Sequence, residues 1–134
     1  MILDGKTVFL IEDDPVNLAV IRTSLQEQGA AVPYDHWGDS SLKKMLFSSQ
    51  KIDLILLAIK LSGKISGYDL FEEIKLVPRF QNIPIVAVTA SDPDLEVPKA
   101  REKGFNGYIS KPIDRKQFPY DIMKVIEGGE VWPE

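Results

Sequence analysis

Short apolar runs alternate with amphipathic stretches along this chain. Thr7-Val8-Phe9-Leu10-Ile11 is rich in β-branched and aromatic residues and stops at a block of acids, which predicts a strand. Residues 30–34 form a weaker run whose Pro33 suits only an edge strand. Residues 53–58 and 83–89 are apolar at successive positions, as in strands covered on both faces. Gly107-Tyr108-Ile109-Ser110 is a short fifth run that stops at Lys111-Pro112.

The stretches between the runs carry helical spacing. After Asp14-Pro15, a helix start with proline in the first turn, Leu18, Ile21 and Leu25 share a face, and Gly29 closes the segment. Leu42, Met45 and Leu46 follow the Gly38-Asp39-Ser40 turn, and Met45 and Met123 read as core fillers. Leu70, Phe71, Ile74 and Val77 follow Gly67 and end at Pro78. Residues 91–103 predict a helix with a thin apolar stripe and Pro98 inside it. Phe118, Ile122, Val125 and Ile126 give the last helix a clear apolar face, with Pro119 at its start. Five strands alternating with five helices predict a doubly wound parallel sheet with right-handed crossovers. Residues 1–127 form the predicted domain, and residues 128–134 a short tail, expected to be unordered or loosely packed.

Composition narrows the chemistry. The 134 residues include no cysteine and one histidine, His36, which excludes disulfides, thiolate metal sites and cysteine nucleophiles and disfavours a His-rich zinc site. His36 and Trp37 read as loop residues. The formal net charge of −4 argues against binding nucleic acid by phosphate neutralisation. No apolar run approaches the length needed to cross a bilayer, and no signal core follows the N-terminus. A cytoplasmic protein with no nucleic-acid or membrane partner is the expectation.

Ligands of open α/β sheets bind beyond the carboxyl ends of the strands. The residues just past the strand ends here are Glu12-Asp13-Asp14, Ala58-Ile59-Lys60, Thr89-Ala90-Ser91 and Lys111-Pro112. Hard oxygen donors of this kind suit Mg²⁺, and a hydroxyl with an ammonium suits a phosphoryl group. Asp14 alone reads as a helix cap. Lys43-Lys44 and Lys99, Arg101 and Lys103 read as solvated helix faces.

Four blocks in order carry a resemblance. They are Val8-Phe9-Leu10-Ile11-Glu12-Asp13-Asp14-Pro15-Val16-Asn17, Asp53-Leu54-Ile55-Leu56-Leu57-Ala58-Ile59-Lys60-Leu61 with Ser66-Gly67-Tyr68-Asp69-Leu70, Ile83-Pro84-Ile85-Val86-Ala87-Val88-Thr89-Ala90, and Gly104-Phe105-Asn106-Gly107-Tyr108-Ile109-Ser110-Lys111-Pro112. The chain resembles the receiver domain of two-component response regulators, from about residue 6 to 126. It is most similar to stand-alone receivers, since nothing after the last helix is long enough for an output domain. The resemblance implies a flavodoxin-like (CheY-like) fold and Mg²⁺ held by Glu12, Asp13 and the carbonyl of Lys60. It implies phosphoryl contacts from Thr89 and Lys111, a cis bond at Lys111-Pro112, and a switch in which Tyr108 turns inward as the Thr89 hydroxyl moves. The implied partners are a histidine kinase or phosphotransfer domain on the helix after Asp14. A possible effector or second copy would meet the 91–103 helix, the Tyr108 strand and the last helix.

One position departs. The family's phosphoacceptor aspartate closes the third strand, and Ala58 stands there. A methyl group has no lone pair with which to attack phosphorus, so an acyl phosphate cannot form on it. Mg²⁺ also loses a ligand and should bind more weakly, and Lys111 should lean toward Asp13 or Glu12. Two histories fit, a natural pseudo-receiver and an introduced Asp-to-Ala change. Ser62 where proline is usual, and Gly67 one residue late, make the intervening loop slightly longer. The expectation is a non-phosphorylatable signalling module, not an enzyme, acting by protein–protein interaction. The alternative is a small-ligand or anion-binding flavodoxin-like domain, against which no Gly-rich phosphate loop follows the first strand.

Overall fold

The computed structural model describes residues 1–36, 40–48, 50–61 and 65–133. Its elements alternate: β1 (Val8–Ile11), α1 (Pro15–Gln26), β2 (Tyr34–Asp35), α2 (Ser41–Phe47), β3 (Leu54–Leu57), α3 (Gly67–Lys75), β4 (Ile85–Thr89), α4 (Pro93–Lys103), β5 (Gly107–Ser110) and α5 (Phe118–Ile126), with a 3₁₀ turn at Pro78–Phe80. The strands pair in parallel in the order β2-β1-β3-β4-β5.

Alternation along each strand divides the core in two. Val8, Leu10, Leu54, Leu56, Val86, Val88 and Ile109 meet Leu18, Ile21 and Leu25 of α1 and Phe118, Ile122 and Val125 of α5. Phe9, Ile11, Ile55, Leu57, Ile85, Ala87 and Tyr108 meet Met45 of α2, Leu70, Phe71 and Ile74 of α3, and Ala100 of α4. Two helices therefore cover one face and three the other. This arrangement leaves the carboxyl ends of β1, β3, β4 and β5 side by side.

Local chemistry sets the helix starts. Asp14 caps α1 by accepting the N–H groups of Val16 at 2.9 Å and Asn17 at 3.3 Å. Ser66 caps α3 through the Asp69 N–H at 3.2 Å, and Asp92 caps α4 through the Asp94 N–H at 2.9 Å. Gly67 is required where α3 meets β3, because a Cβ there would stand 2.3 Å from the Ala58 carbonyl oxygen.

Several expectations are corrected. The second strand forms at Tyr34–Asp35, later than residues 30–34, because Pro33 has no N–H to continue the ladder; Ala31 makes only an isolated bridge with Thr7. The fourth helix begins at Pro93 and buries only Ala100, with Pro98 inside it. Leu46 faces outward instead of joining Met45 in the core. Two basic clusters are not simply solvated: Lys44 pairs with buried Asp35 at 3.0 Å and Lys103 with Glu72 at 2.6 Å. The tail also makes contacts with the body. Val131 bridges Gly107 in parallel, and Trp132 packs back on the body. Trp37, Gly38, Asp39 and Ser62, on which further expectations fall, lie outside the described residues.

Candidate functional site at the carboxyl edge of the sheet

Glu12, Asp13, Ala58, Lys60, Thr89 and Lys111 line one cleft of about 280 Å³ at this edge. The six positions, drawn from four segments of sequence, are thus brought together. Asp14, Asn17, Ala90 and Ser91 complete the lining.

Glu12 leaves the end of β1 buried. Its Oε1 is ion-paired with Lys111 Nζ, and its Oε2 accepts the Asp14 N–H at 3.3 Å. Burial raises the Glu12 carboxyl above the usual range, and the Lys111 ammonium opposes that rise. The expected lean of Lys111 is toward Glu12. Lys111 is fixed from its backbone as well, donating its N–H to the Thr89 carbonyl at 3.0 Å, and its bond to Pro112 is cis.

Ala58 is 3% exposed and lines the cleft, with its N–H donated to Ile11 O at 3.0 Å. It supplies no side-chain oxygen. Thr89 is buried; its hydroxyl donates to Ser91 Oγ at 3.1 Å and accepts the Ser91 N–H at 3.1 Å. Tyr108 points inward. It is 1% exposed and donates its hydroxyl to the Ser91 carbonyl at 2.9 Å. Burial, with the Glu96 and Asp92 charges adding, pushes its phenol up to about 12.

Ser91 therefore links Thr89 to Tyr108, a role the sequence did not signal beyond its position after β4. A second unforeseen contact joins α3 to α4, where the Tyr68 hydroxyl donates to Glu96. Burial and the Glu96 charge raise the Tyr68 phenol.

Two carboxylates with a carbonyl suit Mg²⁺, which takes one or two carboxylates and keeps several waters. The set is a lean one: among the described residues, no group of three or more His, Cys, Asp or Glu side chains could hold a metal. What the cleft offers is a pair of carboxylates beside a hydroxyl and an ammonium, groups whose chemistry suits a phosphoryl group.

The response regulator receiver domain model matches residues 8–122, spanning every segment that lines the cleft. The chain belongs to the response regulator receiver domain family. It is 32% identical over 124 residues to the transcriptional regulatory protein AfsQ1 of Streptomyces coelicolor, covering 92% of this chain but 52% of AfsQ1. It is 30% identical over 113 residues to the polar-differentiation response regulator DivK of Brucella anthropi, covering 84% of this chain and 89% of DivK. The chain thus spans about half of one curated relative and most of the other. Among solved structures, the receiver domain of the sensor histidine kinase PA1611 from Pseudomonas aeruginosa has a TM-score of 0.80 at 28% identity, covering 93% of this chain and 99% of that one. That receiver was solved with a magnesium ion coordinated in the active-site cleft. The fold of this receiver is flavodoxin-like, as expected. Receivers of this family bind Mg²⁺ at their active site and interact with histidine kinases or phosphotransfer partners. Family membership does not favour the small-ligand alternative. No helix among the described residues is long and apolar enough to cross a membrane.

Proposed function

We propose that this chain is an acceptor-less receiver, a cytoplasmic pseudo-receiver that carries no phosphoryl group and acts by protein–protein interaction in one fixed state. The observation that supports this reading is Ala58. Ala58 lines the cleft with Glu12, Asp13, Thr89 and Lys111, and by the family resemblance it stands at the acceptor position. In-line attack on phosphorus needs an oxygen lone pair, and none is available from that side chain. With the acceptor missing, the chain has no phosphoryl hydrolysis to perform and is not an enzyme.

Glu12, Asp13 and the Lys60 carbonyl are the groups that would hold Mg²⁺, which supplies charge neutralisation for phosphoryl oxygens. Affinity should be weak. One anionic ligand is missing, and Glu12 is already ion-paired with Lys111. Lys111 thereby has a carboxylate partner without any residue at the acceptor position, which favours a single resting arrangement over a phosphate-dependent pair of states.

The kinase or phosphotransfer partner would meet α1, where Val16 and Val20 are exposed. Substituting Ala58→Asp tests the reading. The variant, given acetyl phosphate and Mg²⁺, is expected to form an acid-stable, hydroxylamine-labile acyl phosphate. A folded Ala58→Asp chain that takes up no phosphate would show that the site is disabled by more than the missing carboxylate, whereas Mg²⁺-dependent phosphate uptake by the unmodified chain would overturn the reading.

A further inference from the structure

α2 and α3 pack side by side over one face of the sheet. Arg79, in the turn after α3, ties their carboxyl ends together. Its guanidinium donates to Leu46 O at 2.9 Å and to Ser48 O at 2.7 Å, carbonyls that the last turn of α2 leaves without helical partners. Around this tie three large apolar side chains face outward. Phe47, last in α2, is 80% exposed, Leu76, which caps α3, is 78% exposed, and Leu46 is 43% exposed. Met45 and Ile74 supply the inward contacts of the same two helix ends, so core packing does not account for the outward three. Charge is segregated here as well. Residues 40–52 and 74–91 carry Lys43, Lys44, Lys51, Lys75 and Arg79 and no acid, in a chain of net charge −4. Lys44 is taken by Asp35. Arg79 and Lys75 bond to neutral carbonyls, so their charge is not cancelled. Lys43 and Lys51 are exposed and form no ion pair among the described residues. Lys43 stands one helical turn before Phe47. The acids of α3 next to Leu76 in sequence, Glu72 and Glu73, lie a turn earlier, and Glu72 is paired with Lys103.

We propose that the carboxyl ends of α2 and α3 form a docking site for an acidic amphipathic helix of a partner protein. Leu46, Phe47 and Leu76 receive its apolar face, and Lys43, Lys51 and Arg79 meet the carboxylates that flank that face. Exposed apolar side chains ringed by cations are complementary to such a segment, and a helix laid between two helices buries them with its own apolar stripe. The charge pattern selects this occupant over two others. An anionic membrane would meet the field of the whole molecule, which is net negative, whereas a short segment senses only charges within about 8 Å at physiological salt. A second copy docked about a two-fold axis would set like cations against each other. Helices that start at the carboxyl edge of a parallel sheet end at the opposite edge, so this site is remote from the Ala58 cleft. The proposal stands whether or not residue 58 takes phosphate.

The probe is a labelled Glu-Glu-Leu-Leu-Asp-Glu-Leu-Phe-Glu-Glu-Leu-Ala peptide, followed by fluorescence anisotropy against the full chain and its variants. Binding is expected, and it should weaken as salt is raised. Phe47→Ser and Leu76→Ser, at exposed positions that leave the fold intact, should each weaken it about tenfold. Lys43→Glu combined with Lys51→Glu should weaken it several-fold, and a peptide with glutamine in place of every acid should bind far less tightly than the acidic one. No binding would overturn the proposal, as would affinity unchanged by Phe47→Ser or equal affinity for the glutamine peptide. Co-sedimentation of the unmodified chain, but not of Phe47→Ser, with vesicles of phosphatidylserine and phosphatidylcholine would assign the patch to a membrane. Concentration-dependent dimerisation that Phe47→Ser removes, seen by sedimentation velocity, would assign it to a second copy. Either result would overturn the proposal too.

Discussion

The Glu12–Lys111 pair decides the electrostatics of the cleft. Glu12 is buried, and its carboxyl is raised chiefly by that burial. A raised carboxyl favours folding below its unfolded pKa and loses that contribution as pH rises through the folded value. Lys111 limits the cost by supplying the opposite charge. Replacing it, as in Lys111→Met, strands a buried carboxylate and should cost about 3 kcal/mol at neutral pH. The loss should shrink as pH falls and Glu12 takes up a proton. Denaturant titrations at neutral and acid pH check both points, and a pH-independent loss would contradict them. Asp35 works in the opposite sense. Its carboxylate accepts from Ser41 at 2.6 Å and pairs with Lys44 at 3.0 Å, and these partners outweigh its burial and hold it below the usual range. Its stabilisation is present above the unfolded value of about 3.9 and is lost as pH falls toward the lower folded value. Asp35→Asn should therefore destabilise by about 1–3 kcal/mol at neutral pH, with a smaller difference in acid, as thermal melts will read. The sequence carried Glu12 and Lys111 through strand-end position alone. Asp35 left no such mark, because its partners Ser40, Ser41 and Lys44 belong to the next element and meet it only on folding.

Among the elements, the strand ends were legible because apolar runs stopped at charged or hydroxyl residues, and the first helix start because Asp14-Pro15 is a capping pair; the Ser66 cap of α3 was not read. What was hidden depended on backbone pairing. Pro33 displaced β2 toward Asp35, and Val131 found an edge that no local pattern announces. The junction of β3 with α3 is tight, with the Gly67 N–H donated to Ile59 O at 2.8 Å and no room for a Cβ beside Ala58 O. Gly67→Ala must push the backbone of residues 58 and 59 aside, and a destabilisation of about 1–3 kcal/mol is expected from overpacking. A denaturation midpoint unchanged from that of the unmodified chain would contradict the observed packing. Ile122 of α5 is fully buried against the strands, so Ile122→Ala should cost about 2–5 kcal/mol.

For the molecule as a whole, the parallel order β2-β1-β3-β4-β5 gathers four short sequence blocks onto one edge. The fold was readable because short continuous apolar runs and helical stripes alternated along nearly the whole chain. The cleft was readable because an α/β sheet brings its strand ends together whatever the identity of the residues there. The link from Tyr108 through Ser91 to Thr89 was not readable, since it depends on side-chain direction. The central claim is that this assembled cleft lacks only the oxygen that would carry phosphate. Its most direct test is the intact mass of the unmodified chain after incubation with acetyl phosphate and Mg²⁺. No gain of a phosphate is expected at any pH where the chain is folded. A Mg²⁺-dependent gain of one phosphoryl group, lost on treatment with hydroxylamine, would contradict the account.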